Sequence, residues 1–492
     1  MMHPPYLSLA IWVPIVFGVV VLFFSRDRDA GFARWVALIG AIAGFAVTVP
    51  LYLHFDPTTS AMQFVELANW IPRFDIHYHL GVDGISVLFV LLNSFVTVLV
   101  VWAGWEVIRV RVAQYMAAFL IMSGLMNAVF VALDGILFYL VFEAMLIPMY
   151  LIIGVWGGPN RVYAALKFFL YTIFGSLLML VALIYLYSVS ETFEILAWYR
   201  VPLALSTQIL LWVAFFLAFA VKVPMWPIHT WLPDAHVEAP TGGSVVLAAI
   251  TLKIGAYGFV RFILPILPDA SRYLSKFVIA LSLIAIVYIG FVALVQRDMK
   301  KLVAYSSISH MGFVTLGFFL FSVLGVEGGI AQMLSHGFVS AAMFLCIGVM
   351  YDRVHSRQID DYGGVVNTMP YFAAFMMLFA MANAGLPGTS GFVGEFLVIL
   401  ASVKVNFWIG FAAAISLILG AAYTLWMYKR VIFVEVANEN VAKMQDIGSR
   451  EFWMLGVVAL AVLFMGVWPK PFVDVMHVSV TDLLTIVGRS KL

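Results

Sequence analysis

The chain has 492 residues, 64% of them hydrophobic and 11% charged, and its 27 basic and 26 acidic side chains leave a net charge of +1. A soluble domain is about 25% charged, and no soluble core of this size hides so much apolar surface, so the solvent for most of the chain is lipid. The neutral balance gives no electrostatic footprint for nucleic acid; the single Cys346 excludes an internal disulfide, a CxxC pair and an iron–sulfur site; and there is neither a GxGxxG after a strand-like run nor a Walker A sequence.

A bilayer core takes about 20 mostly apolar residues per helix. That ruler predicts an all-α polytopic membrane protein of fourteen spans, centred near Pro14, Ala43, Phe95, Met122, Met145, Leu178, Phe215, Lys253, Ile286, Phe313, Ala341, Phe379, Leu417 and Leu463. The first apolar run has no Lys or Arg before it and is long enough to span, which reads as a retained helix and not a cleaved signal. The longest polar interruptions, 55–82 and 434–450, are too short for a soluble domain, so the chain reads as one membrane domain.

Span 5 carries Glu143, eight residues after Gly135, and span 6 begins with Lys167. Lys167 reads either as a positive-inside anchor or as part of an ion path. In span 7 the apolar run 210–221 ends at Lys222, followed by Val223, Pro224 and Pro227. Each proline removes a backbone donor and unseats an upstream carbonyl, and in lipid such groups are tolerated only where protein or cavity water satisfies them. His229, Asp234, His236 and Glu238 follow. The two histidines are seven apart, on one helical face, but Pro233 interrupts the register and the spacing matches no metal motif. A polar mouth at the membrane surface is expected there, and no metal site.

Lys253 lies ten residues after Gly243 in span 8, His310 sits in span 10 beside Tyr305, Ser306, Ser307 and Ser309, and His336 sits in span 11. A membrane histidine either bonds a neighbouring helix or, titrating near neutrality, links other proton sites. Span 12 holds Gly385-Leu-Pro-Gly388 and Gly391, then Glu395. Both broken spans carry a charge beside the break. A packing kink explains a break alone; two breaks in corresponding halves point to an ion path.

A charge at mid-membrane costs at least ~2.5 kcal/mol, so Glu143, Lys222, Lys253 and Glu395 demand partners or water. Two acids and two bases suggest neutral pairing, with Glu143 and Lys222 the first choice. Structural ion pairs between helices are one reading, although buried pairs stabilise poorly. The other is a proton relay. Burial disfavours a charged amine and a nearby carboxylate favours it, so making and breaking such a contact loads and unloads a proton.

Loops after odd-numbered spans, Arg26 and Arg28 among them, hold sixteen Lys or Arg, against nine in the other loops and the termini. The bias puts the odd loops in the cytoplasm and both termini outside. A faint echo at about 163 residues pairs Gly154 with Gly317 and Val223-Pro224 with Leu386-Pro387. If helices 4–8 (113–264) echo helices 9–13 (275–433), leaving helices 1–3 in 1–112 and helix 14 in 452–472, the odd span number inverts the second repeat.

The segment Phe219-Ala-Val-Lys222-Val-Pro-Met-Trp-Pro-Ile-His-Thr-Trp-Leu-Pro-Asp-Ala-His236-Val-Glu-Ala-Pro240 resembles the antiporter-like proton-translocating subunits, those of respiratory complex I, the NADH:quinone oxidoreductase of bacterial inner membranes, above all. So do Lys253-Ile-Gly-Ala-Tyr-Gly-Phe-Val-Arg261, His79-Leu-Gly-Val-Asp-Gly-Ile-Ser86, Ala304-Tyr-Ser-Ser-Ile-Ser-His-Met-Gly312 and the stretch 385–396, so that the likeness covers essentially the whole chain. It implies fourteen helices with 7 and 12 discontinuous, Glu143 and Lys222 as the helix 5–helix 7 pair, Lys253 as the central site, His310 and His336 as connectors, and Glu395 as the exit-side site. Sister subunits usually carry Lys at that last position. It also implies no cofactor in this chain, with flavin, iron–sulfur clusters and quinone in partner subunits, and two sister antiporter-like chains among those partners. One rival is the related membrane chain of a multisubunit sodium/proton antiporter, which shares the Lys and Glu sites. The other is a scaffold or quinone-binding chain with no ion path.

Overall fold

In lipid every backbone polar group must be paired within the chain, so apolar runs of this length fold as helices. The computed structural model describes residues 4–24, 30–436 and 438–492; Arg26 and Arg28 lie outside the described residues. In it fourteen helices are long and apolar enough to cross a membrane. Twelve of them are α1 (Tyr6–Phe24), α2 (Ala30–Leu53), α3 (Ser86–Val107), α4 (Val112–Val131), α5 (Gly135–Trp156), α6 (Arg161–Ser190), α7a (Leu205–Lys222), α8 (Thr241–Ile266), α9 (Ser275–Leu294), α10 (Met299–Phe319), α11 (Val323–Val354) and α13 (Phe407–Phe433). The others are α14 (Ser449–Val467) and α15 (Lys470–Gly488).

The set differs from the expected fourteen spans because span 12, read from sequence as broken, is two short helices, α12a (Pro370–Asn383) and α12b (Ser390–Val405), and because a further helix takes its place in the count. The sequence reading also missed α15. Ser479 Oγ of α15 accepts the Gly84 N–H just before α3, and Arg272 beyond α8 donates to the Val487 carbonyl. Lys491, just past α15, donates to the carbonyls of Trp198, between α6 and α7a, and of Ile266, at the end of α8. These partners all lie at one end of their helices, so α15 runs along that face and does not cross.

A second element went unread in the sequence. Within 55–82 the chain forms an antiparallel hairpin, β1 (Gln63–Ile71) and β2 (Ile76–Val82), turning at Pro72–Phe74. It is fastened to the start of α5, where His77 N donates to Asp134 Oδ2 at 2.9 Å and Leu133 N to the His79 carbonyl at 2.9 Å. Asp134 also caps α5, accepting from Ile136 N and Leu137 N at 2.9 and 3.0 Å. Burial pushes its carboxyl above the ordinary carboxylate range, and these backbone donors pull it part of the way back.

The chain divides into two compact units. The first comprises Met1–Val223, Ile250–Phe277 and Val473–Leu492. It is laced by buried amides: Asn93 of α3 donates to Asn127 of α4 at 2.8 Å, and Asn127 to the Ala10 carbonyl of α1 at 2.9 Å. The second comprises Pro224–Ala249 and Val278–Phe472. Ile286, Phe313, Leu316, Val398 and Ala413 pack its α9, α10, α12b and α13 together. Asp298 caps α10 through Lys300 N and Lys301 N at 2.8 and 3.1 Å, as Asp134 caps α5. Each capping aspartate makes an isolated antiparallel bridge sixty residues on, Asp134 with Glu194 and Asp298 with Gln358.

Candidate functional site

Pro148 has no N–H to give the Ala144 carbonyl, and the helical pattern of α5 is interrupted at Met145. Glu143 sits at that interruption, half-buried, and its Oε1 has no hydrogen-bond partner among the described residues. Lys222 is the last residue of α7a and is 1% exposed. Its Nζ lies 4.8 Å from the centre of the Phe142 ring and 5.9 Å from that of Phe168, and it has no hydrogen-bond partner among the described residues. Its charge is felt by Glu143, but the two are electrostatic neighbours and not a closed hydrogen-bonded pair. Aromatic faces stabilise a cation without accepting its proton.

Lys253 is wholly buried in α8, between two π-helical turns, Leu247–Thr251 and Phe259–Ile263. Such turns re-aim side chains and recur at functional sites. Two residues on, Gly255 lets α7a come close. A Cβ there would stand 2.7 Å from Lys222 Cβ and 2.8 Å from the Phe219 carbonyl oxygen. Lys167 is half-buried in α6, with Nζ 5.5 Å from the Tyr163 ring centre.

In the second unit, the break between α12a and α12b turns on Gly385, at φ +80°, a conformation that costs any L side chain roughly 1–2 kcal/mol. A Cβ on Gly385 would also stand 3.3 Å from Glu395 Oε2. Glu395 is buried on α12b, and its Oε1 lies 2.6 Å from His310 Nδ1. Gln332 of α11 donates to the same Oε1 at 3.2 Å, and its Nε2 is 3.4 Å from His310 Nδ1. The His336 ring lies 5.6 Å from that of His310. His310 Nε2 has no hydrogen-bond partner among the described residues. At 2.6 Å the Nδ1–Oε1 contact has hydrogen-bond length, and a carboxylate oxygen can only accept, so the proton in it is on the imidazole or on a protonated carboxyl.

The cluster after the α7 break is not the open polar mouth expected from sequence. Within α7b (Trp231–Glu238), His236 is fully buried and stacks on Phe344 at 4.5 Å, Glu238 is buried, and His229, just before the helix, is buried too. Lys300, counted from sequence as a loop charge, is also buried. It donates to the Ala239 carbonyl at 2.7 Å, and Arg357 donates to the Val237 carbonyl and pairs with Asp298 at 3.4 Å. Two cations thus close the C-terminal end of α7b, where the helix dipole is negative. Among the described residues no three His, Cys, Asp or Glu side chains gather as a metal-holding group.

The structure thus brings together Glu143 with Lys222, Lys222 with the helix of Lys253, and His310 with His336 and Glu395. Sequence reasoning overlooked Gln332, whose only signal was an amide one turn before His336 in an apolar run.

Residues 132–420 match the family described as NADH:quinone oxidoreductase/Mrp antiporter, TM. NADH-quinone oxidoreductase subunit M of Rhodobacter capsulatus is 50% identical, over 97% of this chain and 96% of its own. A chain of respiratory complex I from Thermus thermophilus with bound NADH superposes with a TM-score of 0.90 at 30% identity, covering 98% of this chain and all of that one. A chain of the Mrp complex from Dietzia shares the fold, with a TM-score of 0.84 at 21% identity, over 98% and 99% of the two chains.

Proposed function

Because the chain belongs to the NADH:quinone oxidoreductase/Mrp antiporter transmembrane family, among its subunit M members, we propose that Glu143, Lys222, Lys253, His310, His336 and Glu395 form its proton relay at mid-membrane. The chain is a proton-translocating, multi-pass membrane subunit of NADH:quinone oxidoreductase, working with the other membrane subunits of respiratory complex I. In this reading Lys222 loads beside Glu143, Lys253 is the central site, the two histidines connect onward, and Glu395 is the exit-side site. Lys167, half-buried on α6, joins the loading end. The flavin, iron–sulfur clusters and quinone belong to partner subunits, the two sister antiporter-like chains are among the neighbours, and the membrane is the bacterial inner membrane with both termini periplasmic.

The observation that carries the reading is the 2.6 Å contact between His310 Nδ1 and Glu395 Oε1 beside a broken helix, with the imidazole's second nitrogen left for onward transfer. The matched caps Asp134 and Asp298, each with its bridge sixty residues on, support helices 4–8 and 9–13 as inverted repeats with a charge at each break. A structural ion-pair scaffold predicts that Lys222→Ala leaves pumping intact. The relay predicts that Lys222→Ala abolishes most NADH-driven proton uptake in membrane vesicles at unchanged complex content. Wild-type uptake per complex would exclude Lys222 from the path.

A further inference from the structure

Two motif residues that the relay does not use meet in the first unit. Asp83, from His79–Ser86, and Arg261, from Lys253–Arg261, form an ion pair at 2.7 Å between side chains each 6% exposed. Arg261 lies eight residues beyond Lys253 on α8, a rise of about 12 Å. It faces a cavity of about 680 Å³, lined also by Tyr199, Ser479, Asp482 and Lys491, on the face where α15 lies. Along α8, Arg261 therefore stands between Lys253 and an opening on that face.

The bonds around the pair are made mostly by groups that do not pass a proton on. Asp83 Oδ1 accepts the N–H groups of Ile85 and Ser86 at 3.1 and 2.9 Å, and Oδ2 accepts Arg261 Nη2. Arg261 Nε donates to the Tyr257 hydroxyl at 2.9 Å, which donates to the Phe130 carbonyl at 3.0 Å. The Tyr199 hydroxyl donates to the Arg261 carbonyl at 2.9 Å. Proton hopping needs groups that accept one proton and release another. Backbone amides and a guanidinium do not release theirs, and these are the donors on the Asp83 carboxylate; the Tyr257 hydroxyl accepts only from the guanidinium and donates to a backbone carbonyl, which passes no proton on.

We propose that the Asp83–Arg261–Tyr257 cluster is a proton insulator: it closes the end of α8 against the cavity, so that a proton on Lys253 leaves only along the relay. This rests on Lys253 being a proton carrier, as read above. A plain latch between α3 and α8 needs only a cation opposite Asp83. Insulation needs a cation that keeps its proton.

Arg261→His separates the two, because imidazole pairs with Asp83 but exchanges its proton. The assay uses the whole complex in sealed proteoliposomes, following decay of an imposed pH gradient without NADH and protons taken up per NADH oxidised. Insulation predicts that Arg261→His speeds the decay several-fold and lowers protons per NADH, with uncoupled NADH oxidation near wild type. Adding Lys253→Leu to the same chain restores slow decay. Arg261→Gln, which leaves Asp83 Oδ2 open to protons from the cavity, leaks likewise and serves if the histidine variant does not assemble. Wild-type decay and stoichiometry in the assembled variants would overturn the insulator. Fast decay that survives Lys253→Leu would also overturn it, showing a leak that does not pass through Lys253, while a fall in proton uptake with Lys253→Leu alone would keep Lys253 in the relay.

Discussion

Glu395→Gln is expected to leave the complex assembled and to lower NADH-driven proton uptake by about tenfold or more, since a positioned proton donor or acceptor is worth roughly 10²–10⁴ in rate. Glutamine matches the carboxyl in shape, so the fit of α12b against Gln332 and the turn at Gly385 survive. Its amide can still bond His310 Nδ1. What it removes is the carboxyl group of the 2.6 Å contact, which can take up and release a proton where an amide cannot. If the contact only pins α10 to α12b, the amide substitutes well and uptake stays normal. The measurement is the initial rate of proton uptake in inverted vesicles, normalised to assembled complex.

Lys253→Leu should separate function from stability in the opposite sense to an ordinary core mutation. Lys253 is fully buried, and replacing a mid-membrane lysine by leucine removes a burial cost of about 2.5–3.5 kcal/mol. The variant complex is therefore expected to resist thermal unfolding at least as well as wild type, while proton uptake falls about tenfold or more. Removing one partner of a structural buried ion pair instead costs about 3–5 kcal/mol. A clearly lowered unfolding temperature with uptake intact would identify Lys253 as a structural charge.

Most of the architecture was readable because lipid leaves few alternatives. A run of about 20 apolar residues is a helix. A charge such as Lys222 inside one demands a partner or water, and the clustered prolines and glycines at Pro224 and Pro387 mark the breaks, whereas the lone Pro14 leaves α1 continuous. The structure bears out a polytopic all-α membrane fold of that kind. What escaped notice carries no such penalty. The hairpin at 63–82 is two short strands with no lipid constraint, and α15 mixes Asp474, His477 and Asp482 into an otherwise apolar stretch. Lys300 counts toward orientation like any loop lysine, though the chain folds it inward to cap α7b. Gln332 is uncharged, so hydropathy barely registers it. The histidines of α7b read as an open mouth, because which face a short helix buries depends on neighbours distant in sequence, here Phe344.

The central claim is that Glu143 takes part in a relay coupled to the redox reaction. Glu143→Ala in membrane vesicles tests it most directly, with proton uptake and NADH-driven quinone reduction followed together. The relay predicts that both collapse in parallel while the complex remains assembled. Both activities persisting at wild-type rates would contradict it and leave Glu143 and Lys222 as structural charges.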